Sequence, residues 1–314
     1  MEVTIGAIAQ TNYDVVIAGS GPAGLAAGIY TGRAKVKTAI LEKEIRGGQL
    51  MNVEWVENYP GFGDGVSGPE LASKMISQVA KYGVDFKLAE VKRIQLREQY
   101  KLIESEKGEY IAKAVIIAGG ARSAKLGVPG ENEFEVWGRG VIYCAVCHGG
   151  QFANRVVAVA GGGDSGITEA LYLARLASKV VVIEQMPQLN ASKILQERAL
   201  NNEKIEIRCG TKIEAIIGED KVKALKLQNT SRNEKTILEV DGVLVRIGLE
   251  PNTSYLKGLI DLSTEGFVIV NEKMETSVPG IFAAGDLRES SMRQVASAVG
   301  DGVTAAISAC RYIG

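Results

Sequence analysis

Histidine is all but missing: there is one, His148, in 314 residues. Cysteine is scarce too, at four. One imidazole and no second CxxC leave the nearest cysteine pair without the partners a tetrahedral zinc site needs, so no metal site is expected. Four cysteines are also too few for a disulfide-built scaffold. A basic excess is absent, with 36 Lys and Arg against 37 Asp and Glu. That removes the electrostatic footprint of a protein that binds nucleic acid or an anionic membrane. No apolar run approaches the roughly 18 residues that cross a bilayer. Residues 1–12 carry neither a basic n-region nor a long apolar h-region. A secretory signal is therefore not expected, and a cytoplasmic location is the default.

What the chain does have is an ordinary globular composition, 46% hydrophobic and 23% charged, with 37 glycines. Its length corresponds to about two domains. Residues 13–18 (YDVVIA) form a short apolar run that reads as a buried parallel strand. Gly19, Ser20, Gly21, Pro22, Ala23 and Gly24 follow at once, then a small-residue helix to about Gly32. In a GxGxxG the first glycine makes the tight turn and the second lets the backbone approach a pyrophosphate. The third lets the helix pack close to the strand. The helix N-terminus offers unpaired N–H groups to the phosphates. A second strand, 37–41, ends in Glu42, about 20 residues on, where such folds hydrogen-bond a ribose.

The same grammar repeats. Residues 155–160 (RVVAVA) are a strand, Gly161 to Gly166 are a second GxGxxG, a helix runs to about Ala177, and strand 180–183 ends in Glu184. Segments 84–110 and 212–240 alternate between short strands and charged turns, as small antiparallel meanders do. Each precedes a buried strand, 114–118 and 242–247. The tail, with strands expected at 267–270 and 280–284 and a helix at 293–309, is too short for a third domain. The expected fold is α/β: two Rossmann-like three-layer dinucleotide-binding domains, the second inserted in the first, each with a meander. The first would comprise 1–120 and 249–314, the second 121–248, with hinges near 119–122 and 248–252.

Midway along the chain lies Cys144-Ala145-Val146-Cys147-His148. Two cysteines at this spacing can close a disulfide in a tight turn and exchange it with another disulfide. Cys209 and Cys310 stand alone and read as small hydrophobes.

With these residues in view, the sequence resembles the low-molecular-weight thioredoxin reductase family of FAD-dependent pyridine-nucleotide disulfide oxidoreductases. The matching stretches are 19–24, 47–49 (GGQ), 57–61 (ENYPG), 144–147, 161–165, 276–286 (TSVPGIFAAGD), 293–294 and 296–302 (ASAVGDG). The resemblance implies FAD in the first domain, held at Gly19, Ser20, Gly21, Pro22, Ala23 and Gly24, with Glu42 on its ribose. Lys43, Gly48, Gln49, Asn58, Val91, Ala118, Gly119, Gly285 and Asp286 would join that site. Arg293, Gln294 and Val295 would open the last helix beneath the isoalloxazine, where its dipole favours a reduced flavin's negative charge. Gly161, Gly163, Asp164, Ser165 and Glu184 would hold the nicotinamide nucleotide. By the same resemblance Cys147 faces the flavin and Cys144 attacks the substrate protein. The inserted domain would rotate about its hinges to serve both.

Two departures stand out. His148 sits where the family usually has an aspartate acting as acid and base for the dithiol, a task within reach of an imidazole. The family's NADPH enzymes carry a basic cluster after the second domain's second strand. Here residues 184–190 (EQMPQLN) hold no Lys or Arg, and Glu184 suits a free 2′-OH, so NADH is expected over NADPH. The implied activity is thioredoxin-disulfide reduction, with a thioredoxin or glutaredoxin-like partner and a homodimeric assembly. The rivals are an NADH oxidase producing hydrogen peroxide, a disulfide reductase fed by a non-nicotinamide donor, and a redox-sensing nucleotide-binding module.

Overall fold

A computed structural model describes residues 11–135 and 138–314. The first stretch runs β1 (Thr11–Ala18), α1 (Pro22–Arg33), β2 (Thr38–Glu42), α2 (Gly68–Ala80), β3 (Asp85–Leu88), β4 (Val91–Arg97), β5 (Tyr100–Ser105), β6 (Gly108–Ile117) and β7 (Ala121–Ser123). The middle runs α3 (Glu131–Phe134), β8 (Val141–Ile142), α4 (Ala145–His148), β9 (Val156–Ala160), α5 (Asp164–Ala174), β10 (Lys179–Ile183) and α6 (Lys193–Leu200). It continues through β11 (Ile205–Arg208), β12 (Thr211–Gly218), β13 (Val222–Asn229), β14 (Lys235–Glu239) and β15 (Gly242–Val245). The tail adds β16 (Leu249–Pro251), β17 (Ile281–Ala283) and α7 (Val295–Ile313). The chain divides into two compact units, Met1–Arg122 with Glu250–Gly314, and Ser123–Leu249.

In the first unit one sheet runs β3-β2-β1-β6-β5-β4, with β17 also on β6. β1, β2, β3, β6 and β17 are mutually parallel neighbours. Val15 and Ile17 of β1 face a core with α1, α2 and α7. Val16 faces the opposite core with Ile94, Ile103 and the 256–287 segment. A strand covered on both faces needs no polar alternation, which is why its sequence is an unbroken apolar run.

α1 opens with Pro22, whose missing N–H costs nothing in a first turn. Its small residues let α7 approach: a Cβ on Gly302 would overlap the Ala23 carbonyl oxygen. Beside this contact Asp301 and Arg288, 8% and 9% exposed, form a buried ion pair. Arg288 Nε and Nη2 donate to Asp301 Oδ2 at 2.8 and 2.7 Å, and Gly285 N–H donates to the same oxygen at 3.1 Å.

Four expectations are corrected. The 84–110 segment is not wholly a meander, because β3 joins the parallel sheet beside β2 (Ala39 opposite Asp85). Residues 108–117 are one strand, not the end of a meander followed by a separate strand at 114–118. The start of β6 pairs with antiparallel β5 and its end with parallel β17, along the same edge. Residues 267–270 form no strand; only Val268 makes isolated bridges, to Leu262 and Arg288. α7 begins at Val295 rather than 293, since Arg293 adopts a left-handed φ of 55° that no helix accommodates.

The second unit has a five-stranded parallel sheet, β11-β10-β9-β15-β8, and a separate antiparallel sheet, β12-β13-β14. α5 and α6 cover one face through Ile167, Leu173 and Leu195. The antiparallel sheet contributes Ile213, Leu225 and Leu227 to the other core. Among the described residues no helix is long and apolar enough to cross a membrane.

Removing one partner of the buried pair strands the other charge. Asp301→Ala is expected to lower unfolding free energy by about 3–5 kcal/mol. Urea denaturation monitored by circular dichroism checks this; a loss below about 1 kcal/mol contradicts it.

Candidate active site

Each unit builds a dinucleotide turn in the same way. In the first, Gly19 takes φ 110° where β1 ends, and a side chain there would strike the Ala118 carbonyl. A Cβ on Gly24 would overlap the Gly19 carbonyl oxygen. A Cβ on Gly21 would meet nothing within 4 Å, so open space lies beside the N-terminus of α1. Glu42 closes the turn: Ser20 N–H and Oγ donate to its Oε2 at 2.9 and 2.8 Å. Glu44 N–H donates to Oε1 at 3.1 Å. Such charge-assisted bonds are the strong ones among hydrogen bonds.

The second unit repeats this residue for residue. Gly161 takes φ 115°, and a Cβ on Gly166 would overlap the Gly161 carbonyl oxygen. Around Gly163 there is again nothing within 4 Å. Glu184 accepts from Gly162 N–H at 2.6 Å and Met186 N–H at 2.8 Å. Asp164 accepts from Ser192 N–H at 2.6 Å, and Ser165 is exposed.

Several other residues expected at the flavin gather on the first turn. Gly48 lies so near Gly21 that a Cβ there would sit 2.9 Å from the Gly21 Cα. A Cβ on Gly285 would come within 3.0 Å of Ala23 Cβ. Ala118 N–H donates to Ala18 O at 2.8 Å, Gly119 O accepts from Asn252 at 2.9 Å, and Gln49 donates to Ala121 O. Asn58 donates to Gln294 at 2.9 Å, which ties its loop to the cap of α7, and Val295 is the first residue of that helix. Burial pushes the Asp286 carboxyl up, opposed by the Ser291 hydroxyl at 3.4 Å and by Arg293. The Arg293 guanidinium stacks 5.3 Å from the Phe267 ring centroid. Lys43 instead points to solvent, paired with Glu44. Val91 opens β4 against the sheet's other core.

The redox turn lies in the second unit. Cys144 and Cys147 form a disulfide, with Cα atoms 5.4 Å apart. Cys144 is buried and caps α4, whose Cys147 N–H donates to Cys144 Sγ at 3.1 Å. Cys147 is exposed and His148 half-buried. His148 N–H donates to Cys144 O at 3.2 Å, and its own carbonyl accepts from Gln151 at 3.0 Å. Cys209 and Cys310 are half-buried rather than buried. Burial pushes both thiols up, Cys209 further by the Glu184 charge.

Two carboxylates beside this turn carry no signal in the sequence. Glu131, 2% exposed, accepts from Tyr143 Oη at 2.7 Å and from Leu126 and Gly127 N–H at 2.8 and 2.7 Å. Glu169, on α5, accepts from Ala145 N–H at 2.6 Å. It also pairs with Arg246, which reaches Ser123 Oγ. Burial pushes the Glu169 carboxyl up; Arg246 and the Ala145 N–H pull it back. In sequence each is one more helical glutamate.

Two dinucleotide turns and a redox-active pair define a class, and the comparisons agree. The chain belongs to the pyridine nucleotide-disulphide oxidoreductase family, whose model matches residues 13–302. It is 44% identical over 302 residues to a thioredoxin reductase of Bacillus subtilis, spanning 96% of this chain and 95% of that one. With the Treponema pallidum thioredoxin reductase it shares 42% identity, over 97% and 98% of the chains. The Lactococcus lactis thioredoxin reductase, in its FR conformation, matches with a TM-score of 0.94 at 41% identity, over 96% and 99% of the chains. The T. acidophilum thioredoxin reductase matches at 0.90 and 36%, over 95% and 97%.

The family implies FAD and a pyridine nucleotide as cofactors. Open space adjoins Gly21 and Gly163, each at the N-terminus of a helix, where a phosphate is favoured.

The three glycines of each turn are not equivalent. Gly21→Ala is expected to leave apoprotein stability within about 0.5 kcal/mol while lowering the FAD retained after purification. Gly24→Ala, which forces α1 off β1, should cost more than about 2 kcal/mol. Denaturation curves paired with flavin absorbance separate the two, and equal losses of stability contradict the assignment.

Proposed function

We propose that this chain is a thioredoxin-disulfide reductase that carries electrons from a nicotinamide nucleotide through FAD and the Cys144–Cys147 pair to a thioredoxin. The observation that carries this is the disulfide itself, closed across a helix cap in the unit that bears the second dinucleotide turn. The names of the near-full-length relatives support the same activity. In this proposal the unit Met1–Arg122 with Glu250–Gly314 holds FAD and the unit Ser123–Leu249 holds the nicotinamide nucleotide. A bound flavin supplies a two-electron relay between the nicotinamide hydride and the disulfide.

The chain's own residues do the rest. Gly19 to Gly24, with Glu42, hold the flavin nucleotide's phosphates and ribose; Gly161 to Ser165, with Glu184, do the same for the other. Once the pair is reduced, the Cys144 sulfur attacks the partner's disulfide. A bond forms between Cys144 and one partner sulfur, and the other partner sulfur leaves and takes a proton. Cys147 then attacks Cys144, which restores the disulfide and releases the reduced partner. His148, at the end of α4, accepts and returns the proton, the general acid–base role an imidazole can fill.

NADH is the donor in this proposal. Residues 184–190 offer no cation to a 2′-phosphate, and the Glu184 carboxylate at the strand end repels one. We carry a homodimeric assembly over from the resemblance; light scattering on the holoprotein checks it.

Anaerobic stopped-flow bleaching of the flavin tests the donor: NADH should reduce it with an apparent Kd at least about tenfold below that of NADPH, one decade being 1.4 kcal/mol. Tighter, faster reduction by NADPH defeats that choice. Cys144→Ser and Cys147→Ser should each cut thioredoxin turnover by at least about a thousandfold while flavin reduction survives. Peroxide production that outpaces thioredoxin reduction in the unaltered protein would instead mark an oxidase.

His148→Ala should slow disulfide reduction by about 10²-fold, the lower range for a lost acid–base group, and should flatten its pH profile. Unchanged rates from pH 5 to 9 remove His148 from the chemistry.

A further inference from the structure

The Cys144–Cys147 turn is gripped from both flanks by acids, Glu131 buried and Glu169 half-buried. On the side before Cys144, Tyr143 is hydrogen-bonded to Glu131. On the side after it, the Ala145 N–H is taken by Glu169. The two differ in what balances them. Glu131 is held by backbone N–H groups and the Tyr143 hydroxyl. Glu169 faces a full opposite charge, Arg246, with side chains 17% and 16% exposed.

We propose that Glu169 is a positioning residue for disulfide exchange: it fixes the turn after Cys144, and its negative charge keeps the reduced Cys144 as a thiol until a base removes the proton. This rests on the reading of Cys144 and Cys147 as the exchanging pair. A Cys144 thiolate would draw on the N–H groups that follow it, and Cys147 N–H already points at its sulfur. The Ala145 N–H is committed to the Glu169 carboxylate, which sets a like charge one residue from that sulfur. Arg246 limits the effect without cancelling it, because it meets the carboxylate on the oxygen not used by Ala145.

Other described charged and titratable groups around the turn are few. Glu131 accepts from Leu126, Gly127 and Tyr143. His148 closes α4. Tyr172, stacked under Arg175, lies on the α5 face that meets Gly149. None of these touches the Ala145 N–H.

The same pair reaches the ends of the unit. Arg246 bonds Ser123 Oγ, the unit's first residue, and itself lies three residues before its last, Leu249. Glu169 thereby ties the redox turn to both segments where the chain enters and leaves the unit.

The test uses the full-length holoprotein, reduced with excess dithiothreitol and alkylated by iodoacetamide between pH 5 and 10. Mass spectrometry reads each cysteine separately. Glu169→Gln keeps an acceptor oxygen for Ala145 but removes the charge. It should speed Cys144 alkylation at pH 7 by up to about tenfold, the change one pK unit gives, and leave the Cys147 profile in place. Arg246→Gln, which leaves the carboxylate unbalanced, should slow Cys144 alkylation, and Arg246→Lys should restore the unaltered profile. The proposal is overturned if Glu169→Gln leaves the Cys144 profile where it was or moves Cys147 equally, or if Arg246→Gln speeds Cys144. Alkylation needs neither nucleotide nor thioredoxin, so a failure here leaves the reductase reading standing, and the converse holds.

Discussion

The structure depends on backbone lying directly against backbone. At Gly24 on α1 and Gly166 on α5 the helix crosses its own turn so closely that a methyl group would overlap a carbonyl oxygen. Gly302 repeats the contact between α7 and α1. Interiors this dense transmit small changes in volume rather than absorb them. The approach sets where the helix N-terminus points. It thereby sets where the strand-end carboxylate can reach and where open space remains for phosphates.

One device recurs on that scaffold. An acidic side chain accepts a backbone N–H from a turn that must hold its shape: Glu42 from Ser20, Glu184 from Gly162, Glu169 from Ala145, Glu131 from Leu126 and Gly127, and Asp301 from Gly285. Turns have no ladder of their own to satisfy these donors, and a buried N–H left unpaired is costly. A carboxylate is a strong acceptor with two oxygens to spend, so it can bind a turn and a second group at once. At Glu42 the second group is the next turn of chain; at Glu169 it is Arg246.

The architecture was legible wherever sequence period and punctuation coincide. YDVVIA before GSGPAG, and RVVAVA before GGGDSG, each name a buried strand, a tight turn and a helix start. The CxxC was legible as a pair able to close on itself. Legibility failed where partners are chosen by tertiary contact. Asp85–Leu88 has too few residues to declare a parallel or an antiparallel neighbour. The 108–117 strand changes partners halfway along one edge, and nothing local marks the change. Val268 is fully buried, yet its neighbours lack a strand to pair with. Glu131 and Glu169 were invisible for a different reason: a glutamate on a short amphipathic helix reads as solvated, and only the fold turns it inward.

The discontinuity of the first unit bears on how the chain comes into being. Ser123–Leu249 is contiguous, so every strand of its parallel sheet is synthesised before residues 250–314 are. It can close on itself during synthesis, as domains generally do. The surrounding unit must wait, because β17 and α7 come from the final stretch. Until then β6 has half an edge unpaired, and α1 shows solvent the small-residue face that α7 will cover. Between those two moments the nascent chain carries its unpaired strand edge in the surrounding unit alone, since the inserted unit already holds all of its own strands.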